Sequence, residues 1–399
     1  MADVFIYDAI RTARTRAKET GGLHDLNPLD LMGSLYRSLE ARTGLDPATV
    51  GEVVLGCVTQ HGEQAGNIAK TSTLYAGWPA SLSGITVNRF CSSGLDAVNF
   101  AALKVAAGQE DLAIGGGVEM MSRVPMLSDQ AATFMDPKLA ARSRILMMGN
   151  GADLIASLYD VSREEADQVA VDSQQRAARA RAEGWYASIV PVENPVKGIT
   201  VTEDECIRPD VSLESLGQLE PAFAKLGAMG PDAAQLAAFP ELKEIRHIHT
   251  AGNSPAMCDA ASAVLVGSEA AGRALGRSAR AVIRDAVNAA DDPLLVLSGA
   301  VLAAGKLMER NGLSVDDVDL FEIHEAFAAT VVKARRDLGI PAEKLNVNGG
   351  VIALGHPLGA TGAIMLGTLL DEMERRDLRR GIVSASGAGG GGAAMLIER

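Results

Sequence analysis

The chain has 399 residues, 47% of them hydrophobic and 22% charged, a composition that fits a globular protein of two or three domains. Its net charge of −13 argues against a nucleic-acid partner, and no stretch approaches the ~20 apolar residues of a membrane span. The first residues, Met1 to Asp8, enter a strand with no basic stretch or cleavage site, so a cytoplasmic location is expected. The four cysteines, Cys57, Cys91, Cys206 and Cys258, have no close spacing and are read as reduced thiols, with no metal site.

In chain order, residues 3–10 read as a strand. Leu29 to Thr43 has apolar residues at helical spacing and a stop at Gly44. Val50 to Val58 is a strand, Asn67 to Ala76 a helix, and Ile85 to Phe90 a strand that ends at Cys91. Leu112 to Gly117 is a buried strand entering a glycine turn, and Arg163 to Gly184 a long helix. Two distant stretches read as the same event, Val87 to Gly94 and Asn348 to Gly362: an apolar strand, small residues, then a helix (Leu95 to Ala106; Ala360 to Leu370). One turn carries Cys91 and the other His356. A helix N-terminus offers free N–H groups and partial positive charge, so a thiol there is expected to ionise more easily, with the imidazole as its base.

An internal repeat connects the two. Gly44, Leu45 and Val50 recur as Gly312, Leu313 and Val318 at one offset of 268 (312 − 44). Further on, Cys91-Ser92-Ser93-Gly94 falls on His356-Pro357-Leu358-Gly359 at 265 (356 − 91), and the Gly115–Gly117 turn falls near Ser384–Gly387. A duplicated unit is expected, with Cys91 and His356 facing each other across a pseudo-twofold axis. The repeat also places an insertion at about 118–255, read as a cap over the site. The expected organisation is an N-terminal half, 1–117, completed by 256–275; the inserted 118–255; and a C-terminal half, 276–399. Alternating strands and helices predict a layered α/β fold in which two sheets share central helices. The final glycine run, Ser386 to Gly392, is followed by a strand, not the helix a dinucleotide site needs, so no nicotinamide cofactor is expected.

Together, Cys91-Ser92-Ser93-Gly94, Gly116 to Ser122, His324-Glu325-Ala326-Phe327-Ala328, Gly355 to Gly362 and the last glycine turn resemble the thiolase family over essentially the whole chain. The resemblance implies two duplicated βαβαβαββ halves in an α/β/α/β/α arrangement with an inserted loop domain, a homodimer or homotetramer, and acyl transfer between coenzyme A thioesters in fatty acid metabolism, by thiolysis of a 3-ketoacyl-CoA or by Claisen condensation to acetoacetyl-CoA. No permanently bound cofactor is implied. It makes Cys91 the nucleophile that takes the acyl group and His356 its base. His324, where many thiolases have Asn, becomes an oxyanion donor, and the backbone N–H groups of Cys91 and Ala388 form a second oxyanion site. Met148-Gly149, Asn253-Ser254 and Phe327 fall in stretches that contact coenzyme A or substrate in the family.

The sequence departs from the family at Ser386, which stands where thiolases carry a second cysteine that moves the α-proton. A serine hydroxyl ionises far above neutral pH and is poorly matched to that task. Three readings follow: another base, His356 or His324, takes the proton; the position has been altered; or carbon–carbon chemistry is lost, leaving an acyl-CoA hydrolase or binding protein. Other departures are Glu220, where a basic residue is usual, the longer segment Lys225 to Arg246, and Pro255 in place of a serine. Cys57, Cys258 and the methionine pairs Met120-Met121 and Met147-Met148 read as packing residues, and Cys206 as a surface thiol of the cap. His247 and His249 share a strand face but lack a third metal ligand and are read as structural.

Overall fold

The computed structural model describes residues 2–399. Its strands are β1 (Val4–Arg11), β2 (Glu52–Gly56), β3 (Ser83–Val87), β4 (Leu112–Met120), β5 (Cys258–Gly267), β6 (Ala281–Ala290), β7 (Leu320–Ile323), β8 (Arg380–Ser386) and β9 (Gly391–Glu398). They hydrogen-bond in the order β7-β8-β9-β6-β1-β5-β4-β2-β3, with Thr15–Arg16 added beside β5. The order is symmetric about the β1–β6 seam, as a duplication requires. In the first half β2 runs parallel to β4, which pairs antiparallel with β5. In the second half β7 runs parallel to β8, which pairs antiparallel with β9. The two expected sheets are therefore hydrogen-bonded edge to edge, through Val4–Ile283, Phe5–Val282 and Ile6–Ala281.

The main helices are α1 (Pro28–Thr43), α2 (Ile68–Tyr75), α3 (Ser93–Ala106), α4 (Met148–Leu158), α5 (Arg163–Ala182), α6 (Gly299–Arg310), α7 (Ala328–Leu338) and α8 (Thr361–Arg375). Local chemistry sets their ends. Asn27 and Asp30 cap α1 reciprocally, and Gly44 closes it at φ 72°. The Ser162 hydroxyl accepts from Glu165 N–H at the start of α5.

Three apolar clusters give the layers. One lies under α1 and α2, on the outer face of the first half. Another, under α6 and α7, also takes in residues of α4 and α5. Between them, Leu95, Val98 and Ala101 of α3 meet Met365, Leu366 and Leu369 of α8, with Val264 and Met395 from the two halves of the sheet. This is the α/β/α/β/α arrangement, with α3 and α8 as the shared central layer.

The two chemical turns are less alike than the repeat suggests. Val351 to Leu354, read as the end of a strand, is a single helical turn, and among the described residues only an isolated Phe321–Leu345 bridge stands where β3 stands in the first half. Helix α8 starts after a 3-10 turn at Leu358–Ala360. Cys206, expected at the surface, is 6% exposed, and burial pushes its thiol up to about 12.

Candidate active site

Cys91 sits two residues ahead of α3. The turn that delivers it is strained: Phe90 has φ 50°, a conformation costly for a bulky residue. It is pinned from both sides. Arg89 N–H donates to Ser93 Oγ at 2.8 Å, Phe90 N–H to Asn88 Oδ1 at 2.8 Å, and Ser93 N–H to the Phe90 carbonyl at 3.0 Å. The Arg89 guanidinium pairs with buried Asp96. Cys91 packs against Met121 and Leu358 and is nearly buried.

The second turn is laid directly on the first. The Gly359 carbonyl lies in a cradle of three glycines from the other half. A Cβ on Gly56 would fall 2.6 Å from that oxygen and one on Gly94 2.7 Å from it, while one on Gly117 would overlap it. Glu119, fully buried in β4, is the polar fastening. Its carboxylate accepts from the N–H groups of Val58, Thr59 and Gly359 and from Gln64 Nε2, each at 2.9 Å. Neither Glu119 nor the cradle glycines were singled out as site residues from sequence. The available signal was an acidic residue in an otherwise apolar strand.

This geometry brings His356 and His324 together and packs Cys91 against Leu358, two residues beyond His356. His356 is buried, its backbone N–H bonded to the Ala256 carbonyl at 2.8 Å and its Nδ1 paired with Thr361 Oγ1 at 2.7 Å. That bond fixes the ring and leaves Nε2 as its free nitrogen. The His324 ring lies with its centroid 4.5 Å from that of His356. Burial, and the repulsion a protonated His356 would feel from Arg14 and from a protonated His324, hold His356 well below its ordinary range, and burial lowers His324 to about 4. Both imidazoles are therefore neutral at pH 7. The thiol behaves opposite to the expectation from the helix terminus. Burial, reinforced by the Glu119 carboxylate, pushes Cys91 up to about 12. Desolvation outweighs the partial charge of one helix end, so the thiol and both imidazoles are neutral and ionisation of Cys91 requires proton transfer.

The remaining predicted residues divide. The Ser386 hydroxyl is fully buried and engaged with α6, donating to the Leu297 carbonyl at 2.7 Å and accepting from Ala300 N–H at 3.1 Å. Ala388 follows in the glycine turn, and a Cβ on the intervening Gly387 would meet the Arg89 carbonyl at 2.7 Å, so this turn abuts the Cys91 turn. Asn253 spends its side chain inside the protein: Nδ2 donates to Asp167 Oδ1 and the Ile248 carbonyl, and Oδ1 accepts from Thr250 N–H. Ser254 Oγ donates to the Thr250 carbonyl at 2.6 Å but is partly exposed. Met148 is partly buried against the same cluster as Phe327, whose ring meets Phe223 and His249 edge-on at 5.7 and 5.3 Å. His249 and His247 both bond to buried Asp153, at 2.7 and 2.8 Å, which agrees with their reading as structural. His249 Nε2 accepts from Ala329 N–H at 3.3 Å and so helps seat the start of α7.

The comparisons fit this arrangement. The profile of the thiolase N-terminal domain matches residues 4–238 and that of the thiolase C-terminal domain residues 277–399. The chain is 39% identical over 409 residues to the peroxisomal 3-ketoacyl-CoA thiolase 2 of Arabidopsis thaliana, covering all of this chain and 84% of that relative. It is 40% identical over 409 residues to a 3-ketoacyl-CoA thiolase of Shewanella frigidimarina, and 38% over 422 residues to the 3-oxoadipyl-CoA/3-oxo-5,6-dehydrosuberyl-CoA thiolase of Escherichia coli, each covered end to end on both sides. With both domain profiles matched and full-length relatives on this scale, the chain belongs to the thiolase family and is an acyltransferase acting on coenzyme A thioesters.

Proposed function

We propose that this enzyme performs thiolysis of 3-ketoacyl-CoA through an acyl-enzyme on Cys91, with His356 as the base. The observation that carries the reading is the clamp between the two turns: Gly359 of the His356 turn sits in the glycine cradle of the Cys91 half and on the Glu119 carboxylate. His356 takes the Cys91 proton as sulfur attacks the keto carbon. The C2–C3 bond then breaks, acetyl-CoA leaves, and free coenzyme A takes the acyl group from sulfur. Amide N–H groups of Cys91 and Ala388 hold the thioester oxygen in this scheme, a contribution of about 3 kcal/mol per donor. Residues 118–255 act as the substrate cap between 1–117, completed by 256–275, and 276–399. Met148, Ser254 and Phe327 are the contacts assigned to coenzyme A or the acyl chain. Acetoacetyl-CoA with coenzyme A is the test substrate. Wild type gives an acyl-Cys91 adduct by intact mass and turns over, and Cys91→Ala gives neither. An adduct persisting in that variant refutes the assignment, and an adduct that only hydrolyses makes the enzyme a hydrolase.

A homodimer is the smallest assembly we infer, built on the open edge of the sheet. There β3 is uncovered, and Ile85 with Leu74 and Tyr75 of α2 and Phe100 and Leu103 of α3 are exposed apolar side chains. Light scattering that returns the mass of one chain at micromolar concentration refutes it.

A further inference from the structure

Ser386 and His324 are opposites in hydrogen bonding. The Ser386 hydroxyl already has a donor and an acceptor at the start of α6, so it has no proton to lend without giving up the Leu297 carbonyl. His324 is 1% exposed, and among the described residues neither ring nitrogen completes a hydrogen bond, although the Ser386 backbone lies close enough to favour the protonated ring. Its place is nevertheless fixed: His324 N–H donates to the Ser384 carbonyl at 2.9 Å, and the ring lies 4.5 Å, centroid to centroid, from His356. Leaving buried polar atoms unpaired is costly, and such a cost persists where the atoms serve a ligand. We propose that His324 moves the proton at the α-carbon of the acetyl unit, sharing one proton with His356 and replacing the second cysteine of the family. The proposal rests on the Cys91 acyl-enzyme above.

The proton count closes with one mobile proton. His356 takes it from Cys91 as the carbon–sulfur bond forms. It passes to His324 while the C2–C3 electron pair moves onto the acetyl α-carbon, and His324 delivers it there, completing a C–H bond. When coenzyme A enters, His356 takes the thiol proton and returns it to Cys91 sulfur as the acyl group leaves. Two adjacent imidazoles disfavour double protonation, which keeps the pair to a single proton.

The test uses acetyl-CoA in D2O with two readouts from one sample: the acetyl-Cys91 mass and deuterium in the acetyl methyl group. His324→Asn keeps a hydrogen-bond donor but cannot carry a proton. The expected result is a ratio of deuterium uptake to acetylation lower than that of wild type by roughly a hundredfold, the scale of general acid–base catalysis. A ratio within threefold of wild type overturns the proposal, as does a wild type that acetylates without exchange. Should His324→Asn fail to acetylate, His324→Gln is read in its place, and loss of acetylation in both assigns His324 to the oxyanion and overturns the proposal. A wild type with no acetyl-Cys91 instead sinks the acyl-enzyme reading.

Discussion

The Cys91 turn and the His356 turn occupy equivalent positions in the two halves, yet they are built differently. The first hangs from a full strand, β3, and reaches its helix through one strained residue, Phe90. The second has lost that strand to a single bridge and is approached by a one-turn helix, Val351–Leu354. What the second half lacks in sheet it gains in clamps. Glu325 accepts from Ser173 Oγ of α5 at 2.7 Å and from Ile352 N–H at 3.2 Å, and the same serine oxygen accepts from Gly350 N–H at 3.0 Å. Helix α5 thus props the turn that has no strand. A duplicated fold keeps the position of a functional turn while changing what holds it.

Two substitutions break this pairing to different degrees. His356→Gln keeps the approximate shape of the second turn and removes the base. Acyl-Cys91 formation should fall by roughly 10³-fold or more while the melting temperature stays close to wild type, read by rapid-quench mass and a thermal scan. A fall of less than about tenfold would move the base elsewhere. Gly94→Ala leaves both chemical groups in place but puts a methyl group 2.7 Å from the Gly359 carbonyl oxygen. It should cost about 1–3 kcal/mol by urea unfolding, as overpacking does, and slow acylation by separating the turns. Unchanged stability and rate would mean the cradle is looser than described.

Much of the fold was legible from the sequence because duplication leaves a register. The 268-residue offset that links Val50 to Val318 also links the starts of β2 and β7, Glu52 and Leu320. That the turns carrying Cys91 and His356 would meet was legible for the same reason. The acidity of Cys91 was not, because burial by Met121 and Leu358 comes from other segments and reverses the sign expected of the helix terminus. Cys206 was misplaced for a similar reason: it sits in an irregular stretch with no periodicity, and it is buried beside Gly355, which comes from far along the chain. Ser386 could be counted into position, but its bonds to Leu297 and Ala300 belong to a fold-level contact that no local pattern announces.

The pairing of β4 with β5 has a consequence for synthesis on the ribosome. The hydrogen-bonding edge of Leu112–Met120 that meets Cys258–Gly267 has no partner until the whole intervening segment has been made. At cellular elongation rates that interval is on the order of ten seconds. During it the nascent chain carries an open, glycine-rich, apolar strand edge, the kind of surface that holdase chaperones shield.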